Sequence, residues 1–427
     1  MKIRMKCRKS IGGLILIKLD VHTTRKLNFP KSSWLLIIGI IFIAFTLRSP
    51  LTSVGPIIAP IRDDLEISNL LAGFLTTIPL LAFAIISPFA PRIARRFGLE
   101  LTLLGSLLLV TTGIILRSLG SIQFLLTGTF LIGVAIAFAN VLLPSLLKLS
   151  FPLHVGLMTG IYSMSMNISA TIATGVAVPI ANGTLFGWQG ALGIWAVLGL
   201  VALLVWLPQL KQNRLLKASL SSSASIKSEK SPSLLRSPIA WSVTFFMGMQ
   251  SLLFYTTSAW LPEVLIADGL SASHAGWMIS LLQLCQLPMT FIIPIIADKM
   301  KDQRQIVVGV ALLYLIGYGG ILTGATSLTV LWMILLGIAG GASFGLAMMF
   351  FTLRTRTPFE VAGLSGMAQS IGYSFAAIGP ILFGSLHDFT GNWTAPMFIL
   401  FIAVLILNIS GMKAGKSGFI RPAETHN

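Results

Sequence analysis

Apolar runs recur along the chain, each about as long as a bilayer's hydrocarbon core is thick, with short polar or basic stretches between them. A helix needs roughly 20 such residues to cross. The pattern predicts twelve spans, at 34–58, 69–90, 101–116, 122–147, 156–181, 188–208, 238–261, 272–296, 305–324, 327–351, 361–386 and 393–411. Each has to be helical, because lipid offers backbone N–H and C=O groups no partner. Only the connection at 209–237 is long, and its Ser and Lys content reads as a flexible linker. The predicted organisation is a basic segment at 1–33, a six-helix bundle at 34–208, the linker at 209–237, a second bundle at 238–411 and a tail at 412–427.

Composition agrees. Of 427 residues 55% are apolar and 10% charged, against roughly 45–50% and about 25% in soluble domains. That excludes an ordinary soluble enzyme, a disordered protein and a disulfide scaffold; Cys7 and Cys285 lie in a basic terminus and an apolar run. The net charge of +17 acquires a meaning once the spans are drawn. Of 30 Lys and Arg, 27 fall in the terminal segments, the linker and the even-to-odd loops, while the opposite loops hold only Arg62 and Arg117. The positive-inside rule then puts both termini in the cytoplasm of a multi-pass protein of the plasma (inner) membrane. The charge is an orientation signal, so no nucleic-acid partner is expected, and the lipid bilayer is the partner it implies. No cleavable leader is expected either.

The halves superpose at a nearly constant offset. Ala72–Gly73 meets Ala275–Gly276, and Pro91, Ile93 and Ala94 meet Pro294, Ile296 and Ala297, all at 203 residues. Gly133 meets Gly337 at 204, Trp188 meets Trp393 at 205, and Gly160 meets Gly366 at 206. Both halves begin on the same side, so the repeats are parallel, an arrangement found in transporters that bind substrate between the halves near the midplane.

Six plus six spans with a long basic central loop resemble the major facilitator superfamily. Its loop between spans 2 and 3 carries a Gly-x-Leu-Ala-Asp-Arg-x-Gly-type motif; here Pro91-Arg-Ile-Ala-Arg-Arg-Phe-Gly98 stands there, with Arg95 in the position of the acid, followed by Arg96 and Gly98. The second copy, Pro294-Ile-Ile-Ala-Asp-Lys299, keeps the acid as Asp298 beside Lys299. The resemblance implies a conformational latch that is weaker or differently wired in the first half. Four stretches resemble the cyanate/nitroimidazole porter (CynX/NimT-like) group: Leu-Arg-Ser-Pro-Leu-Thr-Ser-Val-Gly-Pro at 47–56, Asn-Val-Leu-Leu-Pro at 140–144, Thr-Gly-Ile-Tyr-Ser at 159–163 and the run from Gln250 to Pro262. The fold expected is all-α, twelve transmembrane helices in two parallel six-helix repeats. The substrate classes implied by the resemblance are cyanate-like ions and compact nitrogen heterocycles.

Within the twelve predicted spans one formal charge remains, Arg48. It stands fourteen residues past Trp34, about 21 Å along a helix at about 1.5 Å per residue, near the midplane and too deep to snorkel. An arginine at such depth costs about 2.5–3.5 kcal/mol on insertion scales, so it faces a cavity or a partner. One reading makes substrate the missing counter-charge, gripped by the guanidinium fork. The other ties Arg48 to helix carbonyls freed by Pro50, Gly55 and Pro56.

Polar residues at mid-span depth supply further candidates. Asn167 shares a face of span 5 with Ser163, and their repeat partners Gln369 and Tyr373 share one on span 11. Gln283 and Gln286 mark a face of span 8, and Gln250, Tyr255 and Trp260 lie on span 7. Asn140, Tyr162 and Trp260 enter through the quoted motifs. Interhelical hydrogen bonding is the alternative role for each, worth about 0.6 kcal/mol on average.

Nothing points to bond-making chemistry. The histidines at 22, 154, 274, 387 and 426 have no metal-type spacing, and the Gly-rich stretches lack the Lys of a phosphate loop. The expectation is a transporter, not an enzyme, without cofactor or metal, working as a monomer on a small, anionic or strongly polar solute. Coupling stays open between uniport, an exchanged anion and a coupled proton, with Glu263, His387 and Asp388 as the titratable groups at the outer ends. Two other readings stand beside it: a drug-efflux carrier of the same fold, and a membrane receptor that binds without turnover.

Overall fold

The computed structural model describes residues 31–211 and 234–420. Residues 1–30, most of the predicted linker and the end of the tail lie outside them. The described residues form helices and turns without strands. In chain order they are α1 (Lys31–Thr52), α2 (Asn69–Ile86), α3 (Leu99–Arg117), α4 (Ile122–Ser150), α5 (Val155–Gly183), α6 (Trp195–Trp206), α7 (Pro238–Ala267), α8 (Ala272–Lys299), α9 (Arg304–Leu322), α10 (Thr329–Leu353), α11 (Pro358–Thr390) and α12 (Thr394–Gly415). Short helices at Ile58–Asp64, Ala90–Phe97 and Gly187–Gly193 prolong or precede the spans.

Nine helices among the described residues are long and apolar enough to cross a membrane, or ten when the second span, bent by 62° at its junction with Ala90–Phe97, is counted as one. α7 and α11 reach 30 and 33 residues but do not join that group, because Gln250, Tyr255, Thr256 and Thr257 interrupt one and Ser365, Gln369, Ser370 and Tyr373 the other. Those residues face protein or a cavity, where polarity is tolerated.

The internal repeat becomes physical in the packing. α1 packs on α5 and α6 as α7 packs on α11 and α12, and α2 packs on α4 as α8 packs on α10. Equivalent glycines make the crossings close. A Cβ on Gly133 would lie 2.8 Å from Ala82 Cβ and 2.9 Å from Pro79 Cα, and one on Gly337 would lie 2.6 Å from Cys285 Cβ and 2.4 Å from the Leu282 carbonyl. Pro79 and Ala82 are themselves 203 residues before Leu282 and Cys285. Even the caps repeat: Ser68 accepts the Leu71 N–H at the start of α2, and Ser271 accepts that of His274 at the start of α8. Gly337→Val is expected to overpack the α8–α10 crossing by about 1–3 kcal/mol and lower the melting temperature in detergent. Gly319→Val, where a Cβ meets nothing within 4 Å, serves as the unchanged control.

Several span ends depart from the sequence reading, among them both ends of α3 and the end of α4. α3 begins at Leu99 and runs through Arg117, which is 1% exposed, so Arg117 is a buried cation and not a loop residue. Glu100 in its first turn is also buried, and α4 extends past Lys148 to Ser150. Each was excluded because hydropathy ends a span at its first charge, whereas a helix end buried by tertiary neighbours does not stop there.

Candidate functional site

An even number of spans returns the chain to the face it started from, so residues 31 and 420 mark one side, the terminal face. On that side the bundles touch, through α5 on α8, α2 on α11 and α4 on α11. A Cβ on Gly160 would lie 2.6 Å from the Phe291 carbonyl, and one on its repeat partner Gly366 2.8 Å from that of Ser87. Gln369 on α11 donates to the Asn140 carbonyl on α4 at 3.0 Å, and Ser145 donates to the Pro358 carbonyl at 2.6 Å. Lys148, at the end of α4, donates to the carbonyls of Thr352, at 2.7 Å, and Thr355, closing the end of α10. Cations suit such a C-terminal end.

The loop motifs belong to this closed side. Asp298 accepts the Gly156 N–H at the start of α5, 3.2 Å away and across the bundles. The helix dipole favours an anion there. In the first half Arg95 lies over the Phe359 ring, at 5.6 Å, in the first turn of α11. The acid at that helix start is α11's own Glu360, paired with Thr357 in a capping box. Gly98 takes φ 90° between the short helix and α3, a conformation that favours glycine. Arg96 rests against Phe97, and Lys299 is exposed. Beside these residues Arg304 holds the Asp302 carboxyl below its usual range by hydrogen bond and charge.

Toward the opposite face the bundles part around two adjoining cavities of ≈ 280 and ≈ 160 Å³. Arg48, Leu51, Thr52, Thr76, Phe254 and Tyr255 border both. The larger is completed by Asn167 and Thr171 from α5 and by Ser258, Gln283 and Gln286 from α7 and α8. Arg48 is half-buried, with its guanidinium carbon 5.2 Å from the centre of the Phe254 ring and 5.6 Å from that of Phe344. Among the described residues its guanidinium has neither hydrogen bond nor ion pair; the carbonyl of Pro50 is taken by Arg117 at 2.7 Å. The aromatic faces hold the cation by charge–quadrupole attraction and leave its N–H fork free.

Of the residues predicted from sequence, Arg48, Asn167, Tyr255, Gln283 and Gln286 thus come together on one cavity. Asn140, Tyr162, Gln369 and Tyr373 lie instead in the layer that closes it: Tyr162 donates to the Asn140 side chain at 3.1 Å, and Tyr373 packs 4.8 Å from the ring of Phe83. Gln250 is buried and accepts from Ser251 at 3.3 Å. Trp260 is elsewhere, donating to the Pro380 carbonyl at 2.8 Å, stacked on Phe383 and tilted against Trp393. Glu263, His387 and Asp388 border neither cavity; His387 stacks on Trp393 at 3.7 Å. Sequence reasoning missed Phe254, though it stands in a quoted motif, and Phe344 and Arg117, for which only the fold is a signal.

A two-bundle helical protein with a solute-sized cavity between its halves is a membrane transporter, and comparison with known proteins agrees. The Major Facilitator Superfamily model matches residues 35–377. The chain is 46% identical, over 92% of its length and 96% of the relative's, to an uncharacterised transporter of Bacillus subtilis (strain 168). It is 43% identical to the 2-nitroimidazole transporter of Escherichia coli (strain K12), over 92% and 98%, and 25% identical to that organism's cyanate transport protein, over 84% and 91%. Among solved structures, the proton:xylose symporter XylE shares the fold at TM-score 0.73 and 14% identity, covering 90% of this chain and 95% of that one. The chain belongs to the major facilitator superfamily and resembles its cyanate/nitroimidazole porters.

Proposed function

We propose that this transporter carries a small, anionic or strongly polar planar solute by alternating access, with Arg48 as the group that holds it. The observation that carries the reading is a guanidinium placed in the cavity under two aromatic rings, with no hydrogen bond or ion pair of its own among the described residues. A nitro, carboxylate or cyanate-type group supplies the acceptors its fork lacks. Of the two substrate classes, the nitrogen heterocycle fits better. A flat ring can lie against Phe254 and Tyr255 while Asn167, Gln283 and Gln286 meet its edge nitrogens, whereas a cyanate-sized ion would leave most of the ≈ 280 Å³ unfilled. The name of the 43% identical relative supports the same class.

Both termini are proposed to be cytoplasmic in the plasma (inner) membrane, which makes the closed face cytoplasmic and the conformation outward-facing. The working unit is proposed to be a monomer. No acid or histidine borders either cavity, so uniport or exchange is favoured over a proton carried on a cavity carboxylate. Counterflow of radiolabelled 2-nitroimidazole, with a panel of small anions, in proteoliposomes tests the reading. Saturable exchange that Arg48→Ala abolishes supports it; binding without exchange would make the protein a receptor. Exchange untouched by the substitution would remove Arg48 from the site.

A further inference from the structure

We infer that Arg117 forms a second anion subsite, in the smaller cavity, which takes a compact monovalent anionic group beside the main solute site. Arg117 is 1% exposed, and one of its terminal nitrogens donates to the Pro50 carbonyl at 2.7 Å. Its Nε and other terminal nitrogen are buried with no partner. A guanidinium buried with two nitrogens unsatisfied is a costly arrangement unless a ligand completes it. The side chain borders the ≈ 160 Å³ cavity, and so does Arg48. No Asp or Glu stands among that cavity's lining residues.

The break in α1 explains why the two cations share it. Pro50 lies inside the last turns of α1, and the helix ends at Thr52 before the tight turn at Gly55–Ile57. The Pro50 carbonyl, left at this break, is the acceptor that Arg117 takes, and Arg48 stands two residues earlier on the same strip of backbone. Two cationic side chains therefore border one cavity, and an anion between them relieves both. Thr52, Thr76, Thr77 and Thr129, which also border it, spend their hydroxyl protons on the carbonyls of Arg48, Gly73 and Leu125, so the arginines and the Tyr255 hydroxyl are the donors that remain. The volume admits a halide, a nitrate-like ion or a solute's carboxylate or nitro end. The anion has two conceivable sources, a free inorganic ion or the charged end of the transported solute.

The first arm of the test requires only purified protein and is independent of the transport reading. Protein in detergent and gluconate, an anion too bulky for the cavity, is titrated at constant ionic strength with chloride, nitrate or cyanate while its melting temperature is followed. A saturable rise of about 1–2 °C or more is expected. It should survive, weakened, in Arg48→Ala and disappear in Arg117→Gln. In Arg117→Lys, which keeps the charge but loses the fork, the half-saturating concentration should rise about tenfold. No saturable rise in the wild-type protein, or a rise unchanged in both Arg117 variants, overturns the proposal. The second arm rests on the transport reading and separates the sources. If a free ion fills the subsite, uptake of a neutral nitroimidazole falls in chloride-free gluconate and recovers on adding chloride. If the solute's own end fills it, uptake ignores chloride, and Arg117→Gln raises KM for anionic solutes while sparing neutral ones. Uptake that ignores both chloride and Arg117→Gln overturns the subsite.

Discussion

Arg48→Ala is expected to reduce solute uptake by at least about 30-fold while the protein still reaches the membrane and melts near the wild-type temperature. Removing one member of a desolvated, hydrogen-bonded charge pair costs about 2–5 kcal/mol, and each 1.4 kcal/mol is tenfold. Folding should survive, because in the unliganded protein the guanidinium is held by the faces of Phe254 and Phe344 and by no hydrogen bond among the described residues. Lysine keeps the charge but not the planar fork, so Arg48→Lys should fall between the two, with most of its loss in KM. Initial rates of uptake into proteoliposomes, normalised to reconstituted protein, give the comparison. Wild-type rates in the alanine variant would detach the cation from the solute.

Lys148→Met should loosen the closed face. The ammonium donates to the Thr352 and Thr355 carbonyls at the end of α10 and reaches the Thr355 hydroxyl at 3.2 Å. Charge-assisted hydrogen bonds of this kind contribute about 1.5–3 kcal/mol each. Water replaces part of that in the open state, and a net loss of about 1.4 kcal/mol already shifts the conformational balance tenfold. Methionine keeps the apolar stem and so the local packing. With the native cysteines replaced by serine and one introduced as Ser365→Cys in the closing layer, labelling from the terminal face by a membrane-impermeant thiol reagent should speed up about tenfold. An unchanged rate would leave the latch to the Asp298–Gly156, Gln369–Asn140 and Ser145–Pro358 bonds.

The two predictions draw on residues of very different legibility. Arg48 was visible in the chain, because one charge inside a long apolar run has few physical explanations. Its freedom from the Pro50 carbonyl was not visible: both readings of the residue were consistent with the sequence, and only the fold shows Arg117 on that oxygen. Lys148 gave no sign of its role, since a basic residue at the terminal-face end of a span is what the orientation rule expects of any membrane protein. Its partners lie 204 and 207 residues away. The pairing of Asn140 with Tyr162 and Gln369 was hinted at only as polarity at mid-span depth, which cannot distinguish a residue that lines a cavity from one that seals it.

Spacing and charge along the chain determined the number and type of elements, their two-fold repetition and the side on which basic loops gather. These are local properties: the thickness of a bilayer, the need of a backbone to satisfy itself, and the offset between halves are all read along one dimension. The tertiary structure alone decided which polar residues share a cavity, where helices end under buried charges, and how the first motif lives without its acid, with Glu360 capping α11 beside Arg95. Those outcomes depend on which faces of distant helices meet. A glycine-lined crossing such as Gly160 on Phe291 sets that meeting to within an ångström, and no periodicity along the chain encodes a distance of that kind.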